Sequence, residues 1–357
     1  PTKNRPEYLE DSIRSVLWQK FDDYELIISD NCNDQKTITI LDRYRNHPKI
    51  NIVRPESELS MPDNWEFASI HAVGKYCMVL PDRKLLYNDA LKIIHKELKK
   101  FNEPDACSWT VKVYDDLNKK MGWFPPHIKT KGSKLFTPKL LAENFINEKY
   151  LGIKSLDFFY PKSLNGCFKN EIAKKAREMT GHFFNNLYAT TPDYSSLFIQ
   201  LAFSNKILFI GKPIYLSQGE ITSNGRISSA VDCMPYLKTL RFDDYYHFTP
   251  VKAPYIYNLL INDFICIKTI FERNLAQIEV NGINYYESLC LALDSIEQIG
   301  LMNEANLDLY RSELKRQIGL LSNPDQDEIN SRIDLIMKDL KIAVPFFRNL
   351  TLHLKDF

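Results

Sequence analysis

Residues 72–91, AVGKYCMVLPDRKLLYNDAL, decide how the sequence is interpreted. The pattern predicts the end of a helix, a Gly-Lys turn, a buried strand at 76–80, a polar loop at 81–84 and a new helix from about Asn88. Open α/β sheets place their ligands at the carboxyl ends of their strands. The loop Pro81-Asp82-Arg83-Lys84 is therefore the first candidate for an active site.

Strand and helix patterns alternate on both sides of this stretch. The predicted elements are helices at 6–19, 35–46 and 62–73, strands at 24–29, 50–53 and 105–114, and a helix that places Leu91, Ile94 and Leu98 on one face. Such alternation favours an α/β sheet that is mostly parallel, with helices on both faces. The sequence begins at Pro1 inside a loop-like segment, so we expect a strand to precede it, and an N-terminal targeting segment stays open.

The pattern changes in the second half of the chain. Residues 122–163 are rich in Pro, Lys, Gly and aromatic residues, a composition typical of mobile loops over a site. Helices at 170–180 and 191–204 and a strand-turn-strand at 207–215 follow. Beyond Ser228 the apolar stripes have helical spacing only, which predicts four helices. We therefore expect an α/β domain at 1–228 and an all-α domain at 229–357.

The composition is that of an ordinary soluble globular protein, with 44% apolar and 25% charged residues. Lys and Arg (46) nearly balance Asp and Glu (45), so no general affinity for nucleic acid is expected. The seven cysteines are widely spaced and form no C-x-x-C pair, which favours reduced thiols in a cytosolic protein. No apolar run approaches the roughly 20 residues that span a bilayer.

Five pieces of the sequence, taken in order, resemble one known family. They are PTKNRPEYL at 1–9, IISDNCN at 27–33, MPDNWE at 61–66 with A-x-G-K-Y at 72–76, the loop and helix at 80–91, and GHF at 181–183 with PDY at 192–194. Together they resemble the inverting family 2 glycosyltransferases of GT-A fold, over about residues 1–226. The resemblance implies a Rossmann-like nucleotide-sugar domain, followed here by the helical region.

The resemblance also implies roles for individual residues. Asp30 corresponds to the contact with the nucleotide base, and Asp193 to the general base that takes a proton from the acceptor hydroxyl. The alternatives are a turn or helix-capping aspartate for Asp30 and an ordinary aspartate at a helix start for Asp193. The other nucleotide-sugar candidates are Thr2, Asn4, Arg5, Asn64, Asp82, Arg83, Lys84 and Arg226.

Arg5, Arg226 and two further candidates, for the acceptor site, have alternatives that the sequence leaves open. The alternative for Arg5 is a plain surface charge. Arg226 ends a polar loop at 217–226, which is either a lid over the donor or a plain domain connector. Trp123 and His182 are candidates for the acceptor site because aromatic faces suit sugar rings, although single aromatic residues more often pack in a core.

The acidic loop departs from the family pattern. Relatives carry an Asp-x-Asp motif that holds Mg²⁺ or Mn²⁺ on the diphosphate, whereas here Asp82 is followed by Arg83 and Lys84. A single carboxylate beside two cations is a poor site for a hard divalent ion, while the cations themselves suit phosphate oxygens. We expect a donor site that needs no metal or binds Mg²⁺ or Mn²⁺ weakly through Asp82. A solvated turn without a catalytic role is the alternative.

The expected function is transfer of a sugar, with inversion, from a nucleotide sugar to a glycan or lipid-linked glycan. Family analogy points to bacterial capsule or lipopolysaccharide synthesis in the cytoplasm, with peripheral contact at the inner face of the plasma membrane left open. A non-catalytic GT-A-like module that acts in assembly through its helical tail is the alternative. A homo-oligomer formed through that tail also stays open.

Overall fold

A computed structural model of the 357-residue chain describes residues 1–31, 34–115, 120–124, 132–147, 160–184, 191–219, 246–253, 256–299 and 304–334. The helices are α1 (Pro6–Leu17), α2 (Gln35–Asp42), α3 (Met61–Ser69), α4 (Ala90–Lys100), α5 (Pro138–Asn147), α6 (Asn170–Thr180), α7 (Pro192–Phe203), α8 (Ile256–Phe271), α9 (Gly282–Ile299), α10 (Glu304–Ile318) and α11 (323–334). The strands are β1 (Leu26–Ser29), β2 (Ile50–Val53), β3 (Tyr76–Cys77), β4 (Lys84–Leu86), β5 (Ala106–Asp115), β6 (Lys120–Phe124), β7 (Lys134–Phe136), β8 (Gly166–Lys169) and β9 (Ile207–Gly219).

The described strands form two sheets. β1 and β2 pair in parallel, with Ile28 opposite Ile52, and Thr2 forms a parallel bridge to Asp30 at the end of β1. The larger, seven-stranded sheet has the order β3-β8-β5-β9-β4, with β6 added to β5 and β7 added to β9. In this sheet β5 and β9 run parallel, and the other described pairings are antiparallel.

The α/β class with a C-terminal helical region is confirmed, but the larger sheet is mixed, not mostly parallel. Strand β7, helix α5 and the end of β6 lie in the region at 122–163 that we expected to form loops, because its apolar residues show only weak periodicity. The antiparallel pairings β3–β8, β4–β9, β5–β8 and β7–β9 join strands that lie far apart in the sequence, so local spacing could not indicate them. The expected turn at Lys212-Pro213 is a bulge within β9, where the register to β5 shifts.

The stretch at 72–91 also differs from the prediction in detail. β3 covers only two residues of the strand expected at 76–80, although Val79 N still donates to Ser163 O (3.1 Å). Lys84 is the first residue of β4 and pairs with Ser217, so its expected position in a loop is wrong. The loop is shorter than predicted because the chain turns back at once into the sheet, with Lys84 N donating to Pro81 O (3.0 Å).

Prolines lie in the first turn of α1, α3 and α7, as their sequences predict. These are Pro6 in α1, Pro62 in α3 and Pro192 in α7. The first turn of a helix has no internal acceptor for its N–H groups, so a proline there sacrifices no hydrogen bond. The prolines therefore fix the starts of the helices that border the ends of the strands.

Helix α8 belongs to two cores at once. The Phe264 ring lies 5.3 Å from that of Phe198 and the Phe271 ring 5.3 Å from that of Phe203, both edge to face on α7. On another side, Tyr257 joins the apolar cluster of α9, α10 and α11. α8 therefore packs the helical region against the α/β part. The expected domain boundary after residue 228 lies outside the described residues and stays a prediction.

A cavity of about 640 Å³ separates the two sheets. Its lining includes Leu26 and Ile27 of β1, Tyr76 of β3, and Ile94 and Leu98 of α4. None of the described candidate site residues lines it, so the cavity is distinct from the site considered below. A strand that precedes Pro1 stays a prediction.

Over the residues that the structure describes, no helix combines the length and the apolarity that crossing a bilayer requires.

The packing of β8 on β5 generates a prediction. A Cβ at Gly166 would lie 2.4 Å from the carbonyl oxygen of Cys107 and 3.0 Å from that of Lys162. Both are backbone atoms, so Gly166→Ala should lower the free energy of unfolding by about 1–3 kcal/mol in urea denaturation. Gly282→Ala is the matched control, because no atom lies within 4 Å of a Cβ there, and should change it by less than about 0.5 kcal/mol. Equal stability of the two variants would contradict the close approach.

Candidate active site

Three segments end side by side at one edge of the smaller sheet. Asn31 N donates to Thr2 O (3.2 Å), and Asp30 N donates to Val53 O (2.9 Å). Asp30 and Arg54 therefore directly follow the parallel strands β1 and β2, and Thr2 lies beside Asp30 in a parallel bridge. The carboxyl edge of a parallel sheet is where α/β folds bind ligands, and here it presents a hydroxyl, a carboxylate and a guanidinium.

The Asp30 carboxylate is held at this edge by an arginine. The side chain of Asp30 is 6% exposed, and its Oδ2 lies 3.2 Å from Nη1 of Arg54, whose side chain is 47% exposed. Arg54 was not among the residues singled out from the sequence. Its position directly after a strand, like that of Asp30, is the signal that would have found it. The pair offers a ligand an acceptor and a cation next to each other.

A second cluster joins the start of the chain to the 81–84 turn. Thr2 Oγ1 donates to Asp82 Oδ2 (3.1 Å), and Arg5 Nη1 lies 3.5 Å from Asp82 Oδ1. Burial raises the pKa of the Asp82 carboxyl, while Arg5 and the Thr2 hydroxyl act in the opposite direction. The structure thus brings together three residues that the sequence resemblance assigned to nucleotide-sugar binding.

The surroundings of Asp82 do not fit a divalent metal ion. One carboxylate oxygen accepts from Thr2, and the other faces the guanidinium of Arg5. Across the part of the chain that the structure describes, no group of three or more His, Cys, Asp or Glu side chains is arranged to hold a metal. Mg²⁺ and Mn²⁺ prefer several oxygen ligands, and a neighbouring guanidinium repels them.

Lys84 lies beneath this turn and is engaged by the protein. Its Nζ donates to Leu164 O (2.8 Å) and to the Tyr215 hydroxyl (2.7 Å), and it lies 4.2 Å from the centre of the Tyr215 ring. Burial lowers the pKa of the Lys84 amine well below its ordinary value, and the positive charge of Arg83 adds to this effect. These two hydrogen bonds argue against the predicted contact between Lys84 and a diphosphate, which stays a prediction.

Asp193 lies in the first turn of α7, directly after Pro192. Its side chain is partly exposed, and its negative charge acts on the pKa of Lys84, which it raises. Ser196 of α7 lies 2.7 Å (Oγ to Oγ) from Ser163, and the next residue, Leu164, accepts a hydrogen bond from Lys84, so the start of α7 and the 81–84 turn are neighbours. The half-buried Arg83 belongs to the same turn. A carboxylate and the cationic turn therefore lie close together.

Two other candidates hold the edge together. Asn64 is buried, and its Oδ1 accepts from Ser29 Oγ (2.5 Å), which fixes α3 against β1. Asn4 has a positive φ of 52°, and its Oδ1 accepts from Asp34 N (3.0 Å) just before α2. The described contacts of Asn64 and Asn4 are with other segments of the protein and stabilise the edge. For both residues, direct contact with a nucleotide sugar stays a prediction.

The acceptor candidates are dispersed. His182 is exposed after α6, where its N–H donates to Thr180 Oγ1 (3.3 Å). Trp123 lies opposite Lys112 in the β5–β6 ladder. The side chain of Trp123 and the whole of Arg226 lie outside the described part of the chain. Their predicted roles stay predictions.

The sequence matches a known family model. Residues 1–145 match the model described as glycosyl transferase family 2. A curated relative, abequosyltransferase RfbV of Salmonella typhimurium, is 27% identical over 253 residues, which are 67% of this chain and 72% of the relative. The match to the family model begins with the loop that contains Thr2 and Arg5 and extends past the 81–84 turn.

Solved structures share the fold over nearly the whole chain. The crystal structure of residues 1–349 of S. aureus TarS matches with a TM-score of 0.50 at 13% identity, and covers 95% of this chain and 90% of its own. Its complex with UDP-GlcNAc matches with a TM-score of 0.52 at 14% identity and the same coverage. At these identities the likeness concerns the fold, including the C-terminal helical region.

The comparisons agree with the fold that the structure shows. They confirm the GT-A fold and the family resemblance that was noted on five short pieces of sequence. Residues 1–145 resemble a family 2 glycosyltransferase domain, and the chain is a glycosyltransferase.

Proposed function

We propose that this glycosyltransferase moves a sugar, with inversion, from a nucleotide sugar to a glycan hydroxyl in the synthesis of a bacterial surface polysaccharide. The observation that carries the proposal is the pairing of two buried carboxylates with arginines at the carboxyl edge, Asp30 with Arg54 and Asp82 with Arg5. The relatives support the substrate class: RfbV is named as an abequosyltransferase, and TarS has been solved with UDP-GlcNAc.

The donor is proposed to lie across the two carboxylate–arginine pairs. Asp30 accepts hydrogen bonds from the base or ribose, because its carboxylate lies at the end of β1 and is fixed by Arg54. Arg5 and Arg83 face the diphosphate, whose oxygens guanidinium groups bind in charge-assisted hydrogen bonds. The nucleotide is thereby oriented with its sugar towards the start of α7.

The transfer step is proposed as a single displacement. The acceptor oxygen forms a bond to the anomeric carbon from the face opposite the diphosphate, and the bond from that carbon to the diphosphate breaks with its electron pair on the departing oxygen. Asp193 takes the acceptor proton. The arginines stabilise the charge that develops on the diphosphate. Attack from the opposite face inverts the configuration of the sugar.

We place the reaction in the cytoplasm, where nucleotide sugars are available to a protein of this class. Contact with lipid-linked acceptors at the inner face of the plasma membrane and a homo-oligomer formed through the helical tail stay predictions.

Metal dependence offers a first test. Because Asp82 is engaged by Thr2 and Arg5, we predict that release of nucleoside diphosphate from nucleotide sugars continues in EDTA, and that added Mn²⁺ changes its rate by less than about threefold. The assay uses UDP-, GDP-, dTDP- and CDP-sugars with water or a glycan as acceptor. Complete inhibition by EDTA, with full recovery in Mn²⁺, would contradict a donor site built on protein cations.

The role of Asp193 provides a second test. Asp193→Asn removes the proton acceptor but keeps the size of the side chain, so kcat should fall by about 100-fold or more. The Kd for the nucleoside diphosphate, measured by calorimetry, should change by less than about twofold because the substituted group does not hold the nucleotide.

The matched control is Asp325→Asn. Asp325 also lies in the first turn of a helix, α11, where it pairs with Ser322, so its substitution repeats the same chemical change in the helical tail. It should leave kcat within about twofold of wild type. Near wild-type turnover by Asp193→Asn would rule out the general-base role.

A further inference from the structure

A buried carboxylate from the helical region holds the start of α7. Asp263 lies on α8 and is fully buried. Its Oδ2 accepts two hydrogen bonds from Thr191, one from the backbone N–H (2.8 Å) and one from the hydroxyl. Thr191 is the N-cap residue of α7, and Asp193 follows it by two positions. Asp193, which is proposed to take the proton, therefore lies only two residues after the backbone position that Asp263 holds.

The contact replaces the usual cap of the helix. An N-cap threonine normally accepts a hydrogen bond from the first turn through its own hydroxyl, but Thr191 makes no such side-chain cap. The hydroxyl instead donates to Asp263, while Thr191 O accepts from Tyr194 N (3.1 Å) and Ser195 N (2.8 Å). The direction of the first turn is thus set from α8. A negative charge at the amino end of a helix is also favoured by the helix dipole.

The element that supplies this carboxylate is firmly seated. Next to Asp263 on α8, Phe264 packs edge to face on Phe198 of α7. The preceding residue, Asn262, accepts a hydrogen bond from Phe248 N (2.9 Å). α8 therefore cannot shift without disturbing the core of the α/β part, and it presents Asp263 to α7 in a fixed position.

We propose that Asp263 is a positioning residue for sugar transfer, through which the C-terminal helical region completes the active site. It orients the first turn of α7 by holding Thr191 and so sets the direction in which Asp193 meets the acceptor hydroxyl. The inference rests on the proposed role of Asp193 as general base. It gives the helical region a part in the chemistry in addition to its part in stability.

The test removes the carboxylate and then its partner. Small displacements of a catalytic group cost large factors in rate, so Asp263→Ala should lower kcat by about tenfold or more. The Kd for nucleoside diphosphate should change by less than about twofold, because the donor contacts lie on other segments. Asp263→Asn keeps an oxygen that can accept both hydrogen bonds and should stay within about fivefold of wild type.

Variants of Thr191 make the test independent of the folding of Asp263→Ala. Thr191→Val keeps the shape of the side chain but removes the hydroxyl donor, so kcat should fall by about threefold or more. Thr191→Ser keeps the donor and should restore turnover to within about twofold of wild type. The assay is again the release of nucleoside diphosphate from UDP-, GDP-, dTDP- and CDP-sugars.

Asn258→Ala is the matched control on the same helix. Asn258 is also fully buried, donates to Val251 O (2.8 Å) and Ala253 O (3.0 Å), and accepts from the Tyr285 hydroxyl (2.8 Å), all away from α7. Its loss should lower the Tm as Asp263→Ala does, yet leave kcat within about twofold of wild type when both are measured well below their Tm.

The outcomes separate this inference from the proposed function. If Asp193→Asn loses turnover while Asp263→Ala and Thr191→Val behave like Asn258→Ala, the positioning role is overturned and the general base stands. If Asp193→Asn keeps turnover, the general-base proposal falls and this inference falls with it. A fall in kcat in Asp263→Ala or Thr191→Val, with recovery in Asp263→Asn or Thr191→Ser, supports the positioning role.

Discussion

Two carboxylates, Asp30 and Asp82, are almost completely buried at the edge of a sheet, and each is paired with an arginine that reaches the surface. Burying a carboxylate without a partner is costly, so the arginines are required for the folded edge itself. Arg54 and Arg5 remain 47% and 32% exposed, however, and can be shared with a ligand. The ion pairs that stabilise this edge thus also leave two partly exposed guanidinium groups beside it, where the proposed diphosphate would bind.

The same constraint fits the difference between the 81–84 turn and the Asp-x-Asp pattern of the family that the sequence resembles. With Arg5 at one oxygen of Asp82 and Thr2 at the other, both carboxylate oxygens face groups of the protein, as the proposed metal-independent donor site requires. Lys84 is not part of this exposed surface, because its amine donates to Leu164 O and to the Tyr215 hydroxyl. Its buried amine links β4 to Tyr215 of β9. The exposed positive charge at this edge therefore comes from Arg5 and Arg54.

Local patterns in the sequence predicted where helices and strands lie better than they predicted which strands pair and which side chains come into contact. The strand at 50–53 and the helix at 170–180 were placed at the bounds that the structure shows, because apolar spacing and flanking turns define such elements locally. Thr2, Arg5 and Asp82, which the resemblance grouped, are in contact in the structure. The role of Asp263 could not be found in the same way, because it depends on a contact between residues 72 positions apart. The mixed sheet was missed for the same reason, since pairing is decided by tertiary packing.

The central claim is that the carboxyl edge binds a nucleotide through Asp30. Calorimetric titration with UDP, GDP, dTDP, CDP and CMP in EDTA tests it most directly, in wild type and in Asp30→Asn. The account predicts that one of these nucleotides binds wild type and that its Kd rises by about tenfold or more in Asp30→Asn, as the loss of a charge-assisted hydrogen bond would require. Asp22→Asn, a change to a fully exposed carboxylate paired with Lys49, should leave the Kd unchanged. Failure of every nucleotide to bind, or equal binding by Asp30→Asn, would contradict the account.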